Sequence, residues 1–174
     1  MDWTQTVFEV IDMRSFSNLW YWIALAVFWS TASHWVLGVP FDLIQRAARQ
    51  GGQAEIDLQD LVRINVNRLL YIGRGAGFWL LGFVSFLHTV LIVLGWWYDV
   101  EFAQALALIG VPMSFVGALS LWTSSKIERA EPEGELLRKM LMRHRVMTQV
   151  IGMLSIFVTA MWGMYQNLAA MPGF

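Results

Sequence analysis

The stretch Leu69–Gly82, LLYIGRGAGFWLLG, is compatible with two different structures. Three glycines at alternate positions, Gly73, Gly75 and Gly77, surround Arg74. A glycine-rich turn between a strand and a helix would present free backbone amides to a phosphate. A helix that enters a lipid bilayer would use small residues to approach a second helix closely. The sequence on either side of the stretch decides between these structures.

Long segments without charge flank this stretch and define the fold class. No Asp, Glu, Lys or Arg occurs between Arg14 and Asp42, between Arg74 and Asp99, between Glu101 and Lys126, or from Val146 onward. Each segment exceeds the roughly 20 residues that a helix needs to cross the hydrocarbon of a bilayer. The pattern predicts one all-α integral membrane domain over residues 1–174. Its four transmembrane helices are expected near residues 17–40, 75–98, 102–124 and 147–169.

Basic residues are distributed unequally between the predicted loops. The loops 42–74 and 126–145 hold five and six of the 12 Lys and Arg residues, and Arg14 is the remaining one. Because basic residues are retained on the cytoplasmic face, both loops are predicted to be cytoplasmic and both termini external. We expect a multi-pass protein of a bacterial inner membrane. Residues 1–13 predict a short amphipathic helix on the outer membrane surface.

Two of the predicted helices extend beyond the membrane as cytoplasmic stalks, at residues 57–72 and 132–146. Each stalk carries an apolar stripe at helical spacing, which is unfavourable in contact with water. Three arrangements are open: the stripes pack against each other, they bind a soluble partner, or they lie on lipid head groups. Mutual packing is the favoured one. Under the second arrangement, the docking residues would be Arg63, Arg68, Arg138 and Arg143.

The helical pattern around the opening stretch argues against a phosphate-binding loop. Residues 68–71 already belong to a predicted helix, so the amides at 73–77 would be bonded within it. Gly73 and Gly77 instead form the G-xxx-G spacing that allows two helix backbones to approach. Arg74 is expected to extend to the level of the head groups.

Polar groups within the predicted spans suggest contacts between helices. Ser30 and His34 lie in the first span, and Ser85 and His88 in the second. Hydrogen bonding between helices is the expected role. The alternative is a redox subunit that binds haem b between the two histidines. Their expected depths, about 9 and 20 Å from the cytoplasmic ends of their helices, match poorly for that purpose. His144 is expected beside lipid head groups.

The sequence offers little that supports catalysis. It contains no cysteine, which excludes disulfides and thiolate ligands or nucleophiles. No charged residue lies in the middle of a span, and no HExxH or GxSxG motif occurs. We therefore predict a non-enzymatic protein without a metal or other cofactor. The net charge of −1 gives no indication of nucleic-acid binding, and none is expected. Self-association stays open.

Three segments carry a resemblance to a known group of proteins: VFEVIDMRSFSNLWYWIALAVFW (7–29), SHWVLGVPFDL (33–43) and VNRLLYI (66–72). Here the chain resembles small bacterial inner-membrane proteins that are often labelled as a component of the SufBCD iron–sulfur assembly complex. The likeness covers most of the chain and includes no catalytic motif. It implies an accessory or anchoring subunit that docks a cytoplasmic complex of this kind.

Overall fold

The computed structural model describes residues 15–169, which are mostly helical. A short 3₁₀ helix, Ser15–Ser17, precedes helix α1. The further elements, in chain order, are α1 (Leu19–His34), β1 (Trp35–Val36), β2 (Val39–Pro40), α2 (Phe41–Gln50), α3 (Gln53–Ile92), a π-helical turn (Val93–Trp97), α4 (Glu101–Ala130) and α5 (Gly134–Ala169). The amphipathic helix predicted for residues 1–13 lies outside the described residues.

Three helical segments are long and apolar enough to cross a membrane. They are Gln53–Trp97, Glu101–Ala130 and Gly134–Ala169. The third and fourth predicted spans each lie within one of them, and the second, 75–98, does so except for its last residue. The prediction of helices that continue from the charged loops into the apolar segments is also met, because α3 and α5 run without a break for 40 and 36 residues.

The first predicted span, residues 17–40, is wrong at its C-terminal end. Helix α1 has 16 residues, which corresponds to a length of about 24 Å. It stops at His34 because the chain turns into an antiparallel hairpin, β1–β2. Leu37 and Gly38 form the turn, with φ angles of 53° and 76°. Both positive angles are typical of two-residue hairpin turns, in which glycine is favoured and leucine is rare.

One hydrophobic cluster lies at the end of the molecule where the charged segments meet. We call this end the headpiece: the hairpin, α2, residues 53–72 of α3, residues 126–130 of α4 and residues 134–145 of α5. Its buried side chains are Val36, Leu37, Val39, Ile44, Ala47, Leu58, Val62, Val66, Leu70, Ile127, Leu137 and Leu141. Most residues of the two predicted stripes therefore belong to one cluster with the hairpin and α2, whereas Leu136 of the second stripe is exposed.

Helix α1 lies antiparallel to α5 along its length. At one end, a Cβ placed on Gly163 would lie 3.3 Å from the Phe16 side chain. Further along, a Cβ on Gly152 would lie 2.7 Å from Cε3 of Trp29. At the other end, Arg145 donates a hydrogen bond to a backbone carbonyl of α1. The last turn of α1 therefore reaches the headpiece.

The apolar part of α3 faces outward. In the most apolar 18-residue stretch of the segment Gln53–Trp97, no residue is buried by other parts of residues 15–169. Large side chains such as Phe78 and Trp79 are 83% and 78% exposed. Such a surface is unfavourable in water and matches the hydrocarbon of a bilayer.

Candidate functional sites

The four arginines predicted to dock a partner do not form one free basic surface. Arg138 is half-buried and pairs with Glu55, which joins α5 to the start of α3. Arg63 pairs with Asp60 one turn earlier on the same helix, at 3.0 Å. Arg68 and Arg143 are exposed, and neither belongs to an ion pair within residues 15–169. Of the four, these two are available to an incoming partner.

The arginine of the opening stretch holds two helices together. Arg74 makes a two-point ion pair with Glu128 of α4, with Nη1 at 3.0 Å from Oε1. Both residues lie outside the charge-free segments. Hydrogen bonding from Arg74 lowers the pKa of the Glu128 carboxyl below its usual value. The carboxylate remains charged near neutral pH and favours one alignment of α3 with α4.

The glycines around Arg74 lie in the middle of α3, which leaves their amides within the helix. A Cβ on Gly73 would lie 2.9 Å from Cδ2 of Leu121, so the absence of a side chain permits close contact with α4. A Cβ on Gly75 or Gly77 would meet no atom within 4 Å. Gly73 thus contacts a side chain of α4, whereas the sequence predicts that two helix backbones approach there. Gly77 makes no such contact within the described chain.

His88 and Ser114 connect α3 to α4. The Nδ1 atom of His88 lies 2.8 Å from the carbonyl oxygen of Val84, so Nδ1 carries the proton and donates. Its Nε2 atom lies 3.3 Å from Oγ of Ser114, and that hydroxyl also lies 3.0 Å from the carbonyl oxygen of Gly110 in its own helix. The expected role of His88 between helices matches this geometry. A haem iron at Nε2 would require the imidazole to leave Ser114.

The other residues predicted for packing are more exposed. Ser85 is exposed, and its carbonyl accepts a hydrogen bond from the Thr89 hydroxyl at 2.8 Å within α3. Ser30 and His34 are exposed in the last turns of α1 and border a cavity against α5. Within residues 15–169, these three side chains therefore do not form the tight interhelical contact that the sequence predicts for them.

His144 differs from its prediction as a neighbour of lipid head groups. It is buried, with 4% of its surface exposed, and its Nδ1 atom lies 3.2 Å from Oγ1 of Thr123. It lies outside the charge-free segment that begins at Val146. Burial lowers the pKa of the imidazole to about 4, so this side chain is neutral near pH 7. It acts as a packing and hydrogen-bonding group between α4 and α5.

Sequence reasoning missed the most densely bonded polar side chain, Gln104. It is completely buried in the first turn of α4. Its amide nitrogen donates to the carbonyl of Gly95 in the π-helical turn, at 2.7 Å. Its amide oxygen accepts from Trp162 at 2.9 Å and from Gln166 at 2.6 Å, both on α5. The signal was an isolated amide in an otherwise apolar segment, with two possible partners near the end of the chain.

The described residues give no indication of a metal centre. Within residues 15–169, no group of three or more His, Asp or Glu is placed to hold a metal ion. No protein-family model, curated protein or solved structure matches the chain.

Proposed function

We propose that the protein is a non-enzymatic accessory or anchoring subunit of a bacterial inner membrane, which docks a soluble cytoplasmic partner. The observation that carries this proposal is the division of the molecule into two parts. One part has an outward surface of large apolar side chains, as on α3. The other is the headpiece, in which the hairpin and α2 contribute side chains to one buried cluster. A headpiece with its own packed cluster, attached to a membrane bundle, suits a platform for a soluble partner.

The proposal includes a fourth crossing by α1. The contact of Phe16 with Gly163 and that of Ser33 with Arg145 place the two ends of α1 beside positions 18 residues apart on α5. Such a separation corresponds to about 27 Å along a helix, which is close to the hydrocarbon thickness. Because α1 follows α5 over this length, it passes through the same layer. Four crossings would leave both termini outside and the headpiece in the cytoplasm.

The basic composition of the headpiece supports the same orientation. It contains most of the Lys and Arg residues of the chain, which favours the cytoplasmic side. Arg68 and Arg143 give it unpaired positive charge for an acidic partner surface. The resemblance to proteins labelled with the SufBCD complex makes that assembly the first partner to test. No residue of this chain is assigned a role in cluster chemistry.

Docking can be tested with charge reversal at the two unpaired arginines. The full-length protein would be cross-linked in native membranes and purified, and soluble proteins captured with it would be identified by mass spectrometry. We expect Arg68→Glu with Arg143→Glu to remove a specific partner, because two attractive contacts become repulsive. Arg138 is unsuitable for this test, since its reversal would also break the ion pair with Glu55.

The control is Arg49→Glu, which reverses the charge of an exposed residue at the end of α2. This variant should retain the partner, and all variants should show the same membrane insertion and thermal stability. Docking at Arg68 and Arg143 is refuted if the double variant retains every captured protein. It is also refuted if the wild type captures none.

A further inference from the structure

A cavity of about 680 Å³ lies between α1 and α5, next to the headpiece. Ser30, Ser33 and His34 line it from the last turns of α1, and Arg145 and Gln149 line it from α5. The polar segment that the sequence assigned to helix packing therefore faces an open space. Five side chains capable of hydrogen bonding converge on that space from two helices.

Arg145 is held in a fixed position at the mouth of this cavity. Its guanidinium carbon lies 3.5 Å from the centre of the Phe41 ring. Its Nε atom donates to the carbonyl of Ser33 at 3.2 Å. The residue is only partly exposed, and none of the ion pairs found within residues 15–169 includes it. A cation withdrawn from water without a counter-charge favours an incoming anion, and the planar guanidinium fits a phosphate well.

The cavity changes from polar to apolar along α5. Beyond Gln149 its lining includes Met153 and Ile156 of α5 and Ala26 of α1. From Arg145 to Ile156 the helix rises about 16 Å, roughly half of the hydrocarbon thickness. A ligand that follows the cavity would have an anionic head at Arg145 and an apolar chain about one leaflet long.

We propose that this cavity binds an anionic phospholipid of the cytoplasmic leaflet. Its phosphate lies against Arg145, with Ser30, Ser33 and His34 as hydrogen-bond donors to the head group. One acyl chain lies along Ile156. The inference rests on the membrane location given under the proposed function, and it adds a specific lipid site to that location.

The test uses native mass spectrometry of the full-length protein in detergent. The protein would be incubated separately with phosphatidylglycerol, with phosphatidylcholine of the same chains, and with inorganic phosphate. We expect phosphatidylglycerol to be retained about ten-fold more strongly than phosphatidylcholine, because both lipids offer a phosphate but the choline cation of the second is repelled by Arg145. Inorganic phosphate alone should bind weakly, because it lacks the apolar chain.

Two variants test the contact with the lipid head group and the contact with the acyl chain separately. Arg145→Gln should remove the preference for phosphatidylglycerol, whereas Arg49→Gln should retain it. Arg49 is the control, because it is an exposed arginine at the end of α2 and does not line this cavity. Ile156→Trp fills the apolar part and should weaken binding of phosphatidylglycerol while Arg145 stays in place. If Arg145→Gln fails to fold, Ile156→Trp decides the question.

Equal retention of both lipids by the wild type would overturn the proposal, as would equal loss of preference in the Arg49 and Arg145 variants. Strong binding of inorganic phosphate that does not respond to Ile156→Trp would also overturn it, since the ligand would then be a soluble anion.

Flotation of the wild type with lipid vesicles separates this inference from the proposed function. Protein that floats but shows no lipid preference refutes the lipid site alone. Protein that fails to insert refutes the membrane location.

Discussion

At the scale of single residues, Gln104 shows how a polar side chain can fix the arrangement of several apolar helices. A buried amide is unfavourable unless its donors and acceptor are satisfied. Here the amide contacts the carbonyl of Gly95 and the side chains of Trp162 and Gln166. A Cβ on Gly95 would lie 3.1 Å from the backbone nitrogen of Gln104, so the π-helical turn and α4 approach closely. The contact therefore positions three segments at once.

We expect Gln104→Leu to destabilise the protein by about 2–3 kcal/mol, because similar volume is kept while several buried polar groups lose their partner. The measurement is thermal unfolding in detergent, followed by circular dichroism. Gln50→Leu is the control, since Gln50 is exposed at the end of α2 and its replacement should have little effect. Equal stability of the two variants would mean that Gln104 does not connect the helices as described.

At the scale of elements, close contact between α1 and α5 depends on glycine at position 152. The indole of Trp29 occupies the space that a side chain at Gly152 would need. Trp29 itself is 4% exposed. The two residues thus form the middle of the contact between these helices. This contact lies between those of Phe16 with Gly163 and of Ser33 with Arg145, and it helps to fix the position of α1 along α5.

Gly152→Ala should lower stability by about 1–3 kcal/mol, because the added methyl overlaps the Trp29 ring and forces it to move. Gly77→Ala is the matched control within a helix, since nothing lies within 4 Å of its added Cβ. That control should be neutral or more stable by up to about 1 kcal/mol, as alanine is the better helix former. Both would be compared with the wild type by thermal unfolding in one detergent. An unchanged melting temperature for Gly152→Ala would contradict the described packing.

The sequence predicted the long helices well and the short elements poorly, for physical reasons. Segments without charge are a direct consequence of an apolar environment, so they reveal α3, α4 and α5. The end of α1 depends on a turn in which Leu37 adopts a positive φ, and leucine gives no local signal for that conformation. The apolar sequence of the hairpin therefore predicts further helix, where the structure has a turn.

Predictions for individual side chains depended on rotation of the helices about their axes, which one sequence does not specify. The stalk stripes were identified because Leu58 and Val62 follow a regular spacing. The roles of Gly77 and His34 were not identified correctly, because neither residue makes the predicted contact with another helix within residues 15–169. Arg138 was predicted at a docking surface and instead pairs with Glu55. Its carboxylate partner is 83 residues away in sequence.

At the scale of the whole molecule, the number of crossings determines on which side the N-terminal end lies. Helix α1 is shorter than the three long helices, yet its contacts follow α5 from Phe16 to Ser33. Under four crossings, Ser17 is outside and Gln50 is inside. Under three crossings, with α1 held on the headpiece side, Ser17 and Gln50 are on the same side.

Cysteine labelling in intact cells distinguishes these topologies, because the chain has no cysteine of its own. Ser17→Cys and Gln50→Cys would each be treated with a membrane-impermeant maleimide. We expect Ser17→Cys to react in intact cells and Gln50→Cys to react only after permeabilisation. A cytoplasm-specific reporter enzyme inserted at Gly51 or Gly134 should likewise be active, and one fused after Phe174 should be silent. Protection of Ser17→Cys until permeabilisation, together with protection of Gln50→Cys, would reduce the count to three crossings. Labelling of Gln50→Cys in intact cells would place the headpiece outside and remove the basis for a cytoplasmic partner.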